Sequence, residues 1–171
     1  DAAEQFIACD CDLIIMDYAY WGDAATKWTP GQIAQIKAGM PGRKVVAYLS
    51  IAEAGTYRAH WNKTWDADKD GKPDNGAPGW LLDANPDWRN NYKVHYWDPA
   101  WQAIILQHLD EILAQGFDGV YLDIVDAFEF FEHDRANNKW SDHRPHPLTQ
   151  RTYRQDVLVW GPKGAEHGRN Q

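Results

Sequence analysis

The run Gly116-Phe117-Asp118-Gly119-Val120-Tyr121-Leu122-Asp123 does most to limit what this chain can fold into, because it joins a long amphipathic helix to a short apolar strand that ends in a carboxylate. Upstream, Asp98 and Pro99 make a helix start, Asp as N-cap and Pro at the first helical position, where its missing N–H is no loss. Trp101, Ile104, Ile105, His108, Leu109, Ile112 and Leu113 then recur at helical spacing and predict one wide apolar stripe. On that face His108 reads as a satisfied core histidine rather than a ligand. Gly116 suits a left-handed C-terminal cap, since glycine takes positive φ without a Cβ clash. In the strand that follows, Tyr121 and Asp123 share one face and Val120 and Leu122 the other.

The same alternation runs through the first half of the chain. Leu13-Ile14-Ile15-Met16-Asp17 predicts a strand, Trp21 to Trp28 a loop, and Thr29-Pro30 a capped helix start with Ile33, Ile36 and Met40 on one face. Gly39 and Pro41-Gly42 close that helix, and Val45-Val46-Ala47-Tyr48-Leu49-Ser50 predicts a buried strand leading into Ile51-Ala52-Glu53. Tyr92 to Tyr96 predicts a further short strand. Strands alternating with amphipathic helices point to an α/β fold with a parallel sheet and right-handed crossovers. A (β/α)8 TIM-barrel type is expected, and a partial one, since a complete barrel takes roughly 250 residues. Asp17, Glu53 and Asp123 each end a predicted strand, the position from which catalytic groups project into the mouth of such a barrel. For Asp123 alone, a cap or the partner of a buried cation is an equal reading.

Composition narrows the function classes. The net charge of −8 disfavours nucleic acid and other polyanions as partners and favours neutral or cationic ones. No apolar run approaches the roughly 20 residues of a membrane helix, and the first residues lack the basic flank and apolar stretch of a signal peptide. Cys9 and Cys11 are one residue apart, too close for an unstrained bridge and without zinc or redox spacing, so they read as ordinary small core residues. Ten Trp and eight Tyr exceed what a core requires, and flat rings also stack on sugars and cations.

Residues 55–91 form an inserted connection far longer than an ordinary strand-to-helix loop. Within it Asp66, Asp68 and Asp70, then Lys72 through its carbonyl and Asp74, fall at the spacing of the first half of a calcium loop. Position twelve is Ala77 where an EF-hand has Glu, so a structural Ca2+ and a merely solvated acidic loop both fit. Beyond residue 140 the pattern fails: residues 141–171 carry five Lys or Arg against three acids, with Pro145, Pro147 and Pro162 interrupting them. A divergent or disordered tail is expected there, following a domain over 1–140. Its His143-x-x-His146 pair lacks a third ligand at metal-site spacing.

Several motifs together resemble glycoside hydrolase family 114, the endo-α-1,4-polygalactosaminidases. They are Val45 to Ala54, Asn85-Pro86-Asp87-Trp88, Asn91-Tyr92 through Tyr96-Trp97-Asp98-Pro99 with Trp101-Gln102, and Gly116 to Asp123. The resemblance covers roughly residues 10 to 132. It implies a (β/α)8 barrel, extracellular or periplasmic, that hydrolyses α-1,4-linked galactosamine inside a polymer without a catalytic cofactor. Asp123 matches the Asp of the family's Tyr-Leu-Asp motif, and Glu53 the Glu of its Ser-Ile-x-Glu motif. The family's partner carboxylate is expected on a later strand, and residues 141–171 hold no counterpart. The acidic insertion and the absence of a first strand also depart from the family pattern.

Glycoside cleavage needs one carboxyl to protonate the leaving oxygen and another to act as nucleophile or to activate water. Asp123 and Glu53 are the candidate catalytic acids. Asp17 and Asp126 are candidate substrate-binding or supporting acids, and Tyr48, Trp97 and Tyr121 candidate stacking rings at strand ends. An acidic cleft suits galactosamine, whose free amines are ammonium ions near neutral pH. Two other classes fit the same residues: a non-catalytic carbohydrate-binding relic, and a hydrolase that uses Asp17, Glu53 and Asp123 as ligands for a divalent metal.

Overall fold

The computed structural model describes residues 2–134, 137–140, 146 and 148–160. Three parallel strands, β1 (Leu13–Asp17), β2 (Lys44–Ser50) and β6 (Gly119–Asp123), lie side by side in the order β1-β2-β6. Their register sets Asp17 opposite Tyr48, Tyr48 opposite Tyr121, and Ser50 opposite Asp123. Since side chains alternate along a strand, one face of the sheet carries Ile14, Met16, Val45, Ala47 and Leu49, all buried. The other carries Leu13, Ile15, Asp17, Val46, Tyr48, Ser50, Tyr121 and Asp123. There Leu13, Ile15 and Tyr121 are about half exposed. A parallel sheet covered by helices on one face and open on the other is an arc of a barrel seen from its lumen.

The helix layer forms where the sequence says it should. Helix α2 (Pro30–Ala38) begins with a complete capping box, the Thr29 hydroxyl accepting the Gln32 amide and the Gln32 side chain accepting the Thr29 amide. Helix α3 (Pro99–Ala114) starts at Asp98, whose carboxylate accepts the Ala100 amide at 2.8 Å. It buries Trp101, Ile105, Leu109 and Ile112, with Ile104 packed beside them. Gly116 has φ +90, the predicted left-handed cap. Gly39 serves close approach instead: a Cβ there would stand 2.5 Å from the Ile7 carbonyl at the end of α1 (Ala2–Ile7). Arg43, only 4% exposed, draws the same corner together by donating to the carbonyls of Phe6, Ile7, Cys9, Cys11 and Ile36.

Four expectations change. The strand predicted over 92–96 is β5 (Asn91–Val94), and it does not join the parallel sheet. It is the centre of an antiparallel sheet of order β3-β5-β4, with β3 (Glu53–Gly55) and β4 (Leu81–Ala84). Glu53 therefore opens a strand of that second sheet rather than ending one of the first. Secondly, Cys9 and Cys11 are half-buried and their sulfurs are in bonding contact across the turn before β1, so they are partners and not separate core residues. Thirdly, the expected divergent tail is folded over its described residues: a helix over 153–160 buries Val157 and Trp160 in the common core. Its Tyr153 carbonyl accepts the Tyr96 hydroxyl at 2.7 Å. Lastly, His108 is core-facing, its ring edge-on to Tyr18 at 4.2 Å, but its Nε2 has no partner, so it is not a satisfied histidine.

The surplus tryptophans also find a structural place. Trp61, Trp65, Trp80 and Trp101 form a chain of rings with successive centroids 5.3, 5.3 and 4.9 Å apart, and Trp61 continues to Tyr92 at 4.6 Å. Through it the insertion is packed onto α3. At its end the Trp101 indole donates to the Ile51 carbonyl at 2.8 Å, just past β2. A helix α4 (Phe128–Glu132) and a two-stranded ribbon, β7 (His133–Asp134) with β8 (Lys139–Trp140), follow β6.

Candidate active site

The acids that end β1 and β6 point to the open face of the sheet, each held by a side chain from elsewhere in the chain. Asp123 accepts the Tyr48 hydroxyl at 2.5 Å. Burial, then the bond to Asp123 and its charge, push the Tyr48 phenol well above its ordinary range, so Tyr48 is a standing donor to that carboxylate. Immediately after Asp123 the backbone turns at Ile124, which has φ +59, a left-handed conformation costly for a β-branched residue, of order 1–3 kcal/mol. The turn sends Asp126 to the surface beside the second sheet. Asp17 is bound by both terminal guanidinium nitrogens of Arg58, at 2.8 and 2.7 Å. Arg58 comes from the insertion, is itself buried, and lies over the rings of Tyr18 and Tyr57.

Glu53 sits in a cleft of about 480 Å3 between the second sheet and α4. It is 7% exposed, accepts the Asn85 amide at 2.7 Å, and lies 3.7 Å from Lys93, its cross-strand partner. Charged groups lining this cleft are Glu53, Asp87, Asp126 and Glu129 against Lys93, a net of −3 with His133 neutral. Trp88, 65% exposed, and Phe130 supply rings at its wall. The structure thus joins Glu53 and Asp126 in one cleft and Asp123 to Tyr48 on the adjoining sheet face.

Of the rings expected at strand ends, Tyr48 and Tyr121 stand across from each other on the open face, whereas Trp97 does not. It packs among His95, Phe131, His146 and Tyr153, with ring centroids 4.2 to 5.1 Å away, and lines neither large cleft. His146 is spent in that cluster, and His143 lies outside the described residues. Asn85, Trp88, Lys93 and Arg58 were not singled out as site residues by sequence reasoning. The first two stood in the Asn85-Pro86-Asp87-Trp88 motif, which was a usable signal. Arg58 had none, since only the folded insertion brings it to Asp17.

In the insertion, carboxylate oxygens of Asp66, Asp68 and Asp74 lie within 4.8 Å of one another. Asp66 is buried and also accepts the Tyr92 hydroxyl and the amides of Asp70 and Gly71. The Asp70 carboxylate turns away to accept the Lys72 amide at 2.8 Å. Among the described residues this is the only group of three or more acidic, His or Cys side chains close enough to share an ion, so Asp17, Glu53 and Asp123 do not form a metal triad.

The family model for glycoside-hydrolase family GH114 matches residues 20–148. The chain belongs to that family. An uncharacterized protein of Deinococcus radiodurans is 43% identical over 143 residues, 84% of this chain and 39% of that protein. A second uncharacterized protein, from Methanocaldococcus jannaschii, is 41% identical over 119 residues, 70% of this chain and 32% of its own. This GH114 chain therefore spans about two-fifths or less of the curated relatives it matches. Among solved structures it resembles Aspergillus fumigatus Ega3, determined in complex with galactosamine, with TM-score 0.61 and 21% identity over 95% of this chain and 50% of that one. It also resembles the glycoside hydrolase domain of PelA from Pseudomonas aeruginosa, with TM-score 0.56 and 19% identity over 94% and 50%. At such identities the likeness is one of fold, and the arc β1-β2-β6 is part of a GH114 barrel. No described helix is long and apolar enough to cross a membrane.

Proposed function

We propose that the protein hydrolyses an α-1,4-linked galactosamine polymer outside the cytoplasm, with Asp123 as one carboxyl of the catalytic pair. The observation that carries this is the position of Asp123: the last residue of β6, on the lumen face, poised by a protonated tyrosine that donates to it. The net −3 cleft around Glu53 supports the choice of polymer, since a free-amine sugar carries positive charge into it. Glu53 serves as the second acid or as the group that seats the amine. Its bonds to Asn85 and Lys93 fix its orientation in either role. Asp17 and Asp126 border the substrate, with Tyr121 and Trp88 as stacking faces.

The test is release of reducing ends from partly deacetylated α-1,4-galactosamine polymer by the native chain, by Asp123→Asn and by Glu53→Gln. Turnover abolished in Asp123→Asn and retained in part by Glu53→Gln places Asp123 in the chemistry and Glu53 in binding. Polymer binding without turnover in the native chain would make it a carbohydrate-binding relic and overturn the hydrolase reading.

We further propose that Asp66, Asp68 and Asp74 hold a structural Ca2+ that stiffens the insertion, with the Lys72 carbonyl as a further ligand and Asp70 supporting the turn. Calcium at a hundredfold over its dissociation constant should stabilise the fold by about 2.7 kcal/mol, read as a rise in melting temperature. Chelator should reverse that rise and Asp68→Asn abolish it. The same melting curve with calcium and with chelator would sink the idea.

A further inference from the structure

A second groove is larger than the acidic cleft. It lies on the insertion, encloses about 1000 Å3, and is walled by the acidic loop on one side and the turn after β4 on the other. Its charge is opposite to that of the cleft. Lys63, Lys69, Lys72 and Arg89 face it with Asp66, Asp70 and Asp83, a net of +1, and any ion held by the loop makes it more positive. Two of those acids are already engaged: Asp66 by Tyr92 and two amides, Asp70 by the Lys72 amide. None of the four cations makes an ion pair with a carboxylate of the described residues, and all four are exposed, so none is committed to a carboxylate within the fold. Trp61 and Tyr92 add aromatic surface to its wall.

Groove and cleft meet at one residue. Asn85 lines both, and its amide is already committed to Glu53 at 2.7 Å. A chain bound across Asn85 therefore passes from a region of net −3 to one of net +1. An ammonium group is favoured in the first and repelled in the second. In the groove, lysine and arginine donors suit the acceptors of an uncharged sugar, its hydroxyls and an amide carbonyl above all.

We propose that this groove is a distal subsite for N-acetylated, uncharged units of the same polysaccharide whose free-amine units occupy the Glu53 cleft. The proposal rests on the glycosidase reading for the identity of the polymer. It makes the enzyme a reader of pattern: the preferred substrate has amine-bearing units next to acetylated ones, and a uniformly deacetylated polymer is the poorer ligand.

The test uses the exposed pair Lys63→Glu with Arg89→Glu, whose unfolding curve should match that of the native chain. With native protein, kcat/KM on partly acetylated polymer should exceed that on fully deacetylated polymer of equal length. The double variant should lose about tenfold of that preference, a change of 1.4 kcal/mol. An unchanged ratio, with turnover intact, overturns the subsite and leaves the glycosidase standing. Calorimetric binding of a fully N-acetylated α-1,4-galactosamine oligomer separates the two ideas where nothing is cleaved. Binding by the native chain and about tenfold weaker binding by the double variant would support the groove while the hydrolase reading falls. Equal binding, or none by either, overturns the groove.

Discussion

Strand β6 is bracketed by two aspartates only five positions apart, and they live in different surroundings. Asp118, at the end where β6 begins, accepts the Val45 backbone amide at 2.8 Å and lies 3.2 Å from Lys37 and 3.5 Å from Lys44. Burial works against its charge, but that amide and the two lysines hold its carboxyl below the usual carboxylate range. Its partners belong to the frame of the sheet and α2. Asp123, at the other end, has the Tyr48 hydroxyl, and Asp17, at the same end of β1 with β2 between them, has the Arg58 guanidinium from the insertion besides the amide of Ala19. A hydroxyl or guanidinium on a rotatable side chain can give way to a substrate, whereas a backbone amide of the next strand cannot. The sheet keeps its structural acid at one end and its exchangeable acids at the other, as barrels do.

That contrast is sharpest in Asp123→Asn, which should lower kcat/KM by about 10³-fold while the melting temperature stays within a degree or two of the native chain. A comparable loss of stability would mean that Asp123 is also frame. Arg58→Met should follow in size: it strands Asp17 and unties the insertion from β1, and a loss of about 2–3 kcal/mol in denaturant unfolding is expected, below the cost of a fully buried pair because Asp17 is partly open to water. Asp118→Ala should cost about 1–2 kcal/mol and leave kcat unchanged. Because the folded pKa of Asp118 is depressed, its contribution is present above the unfolded value and lost as pH falls through the folded one. The native and Asp118→Ala stabilities should therefore converge in acid.

A pH-dependent effect lies in the helix layer behind the sheet. His60 of the insertion and His108 of α3 share a cavity of about 140 Å3, and the Nε2 atom of each lacks a partner. Burial, the main cause, brings both down to about 4, with Arg58 adding repulsion to each. The unfolded chain takes up these protons first. Stability should thus fall from about pH 6.5 to about pH 4, by at most about 1.4 kcal/mol per pH unit for each histidine, and level off below. His108→Gln should flatten that slope by about half. A slope that stays as steep would place the proton uptake elsewhere.

The helices, the three parallel strands and the acids at 17 and 123 were legible because each is a local pattern: a cap, a stripe of period 3.6, an alternation ending in Asp. Glu53 was legible as an acid but not as to its place, since a three-residue strand in an antiparallel sheet has no periodicity to show. The same holds for β5, whose partners are β3, where the insertion begins, and β4, within it. Trp97 was read as a stacking ring because it follows a strand, but the helix over 153–160, broken off by glycine and proline in sequence, brings Tyr153 over it. Arg58 and the groove on the insertion arise only once residues far apart in the chain are folded together.

The chain of four indoles from Trp61 to Trp101 also has an optical consequence. Rings this close couple their electronic transitions, so the docked insertion should give an exciton couplet in circular dichroism that separate indoles would not. The protein therefore carries its own label for the moment the insertion settles on α3, and Trp80→Phe, which breaks the chain in the middle, would switch most of that signal off.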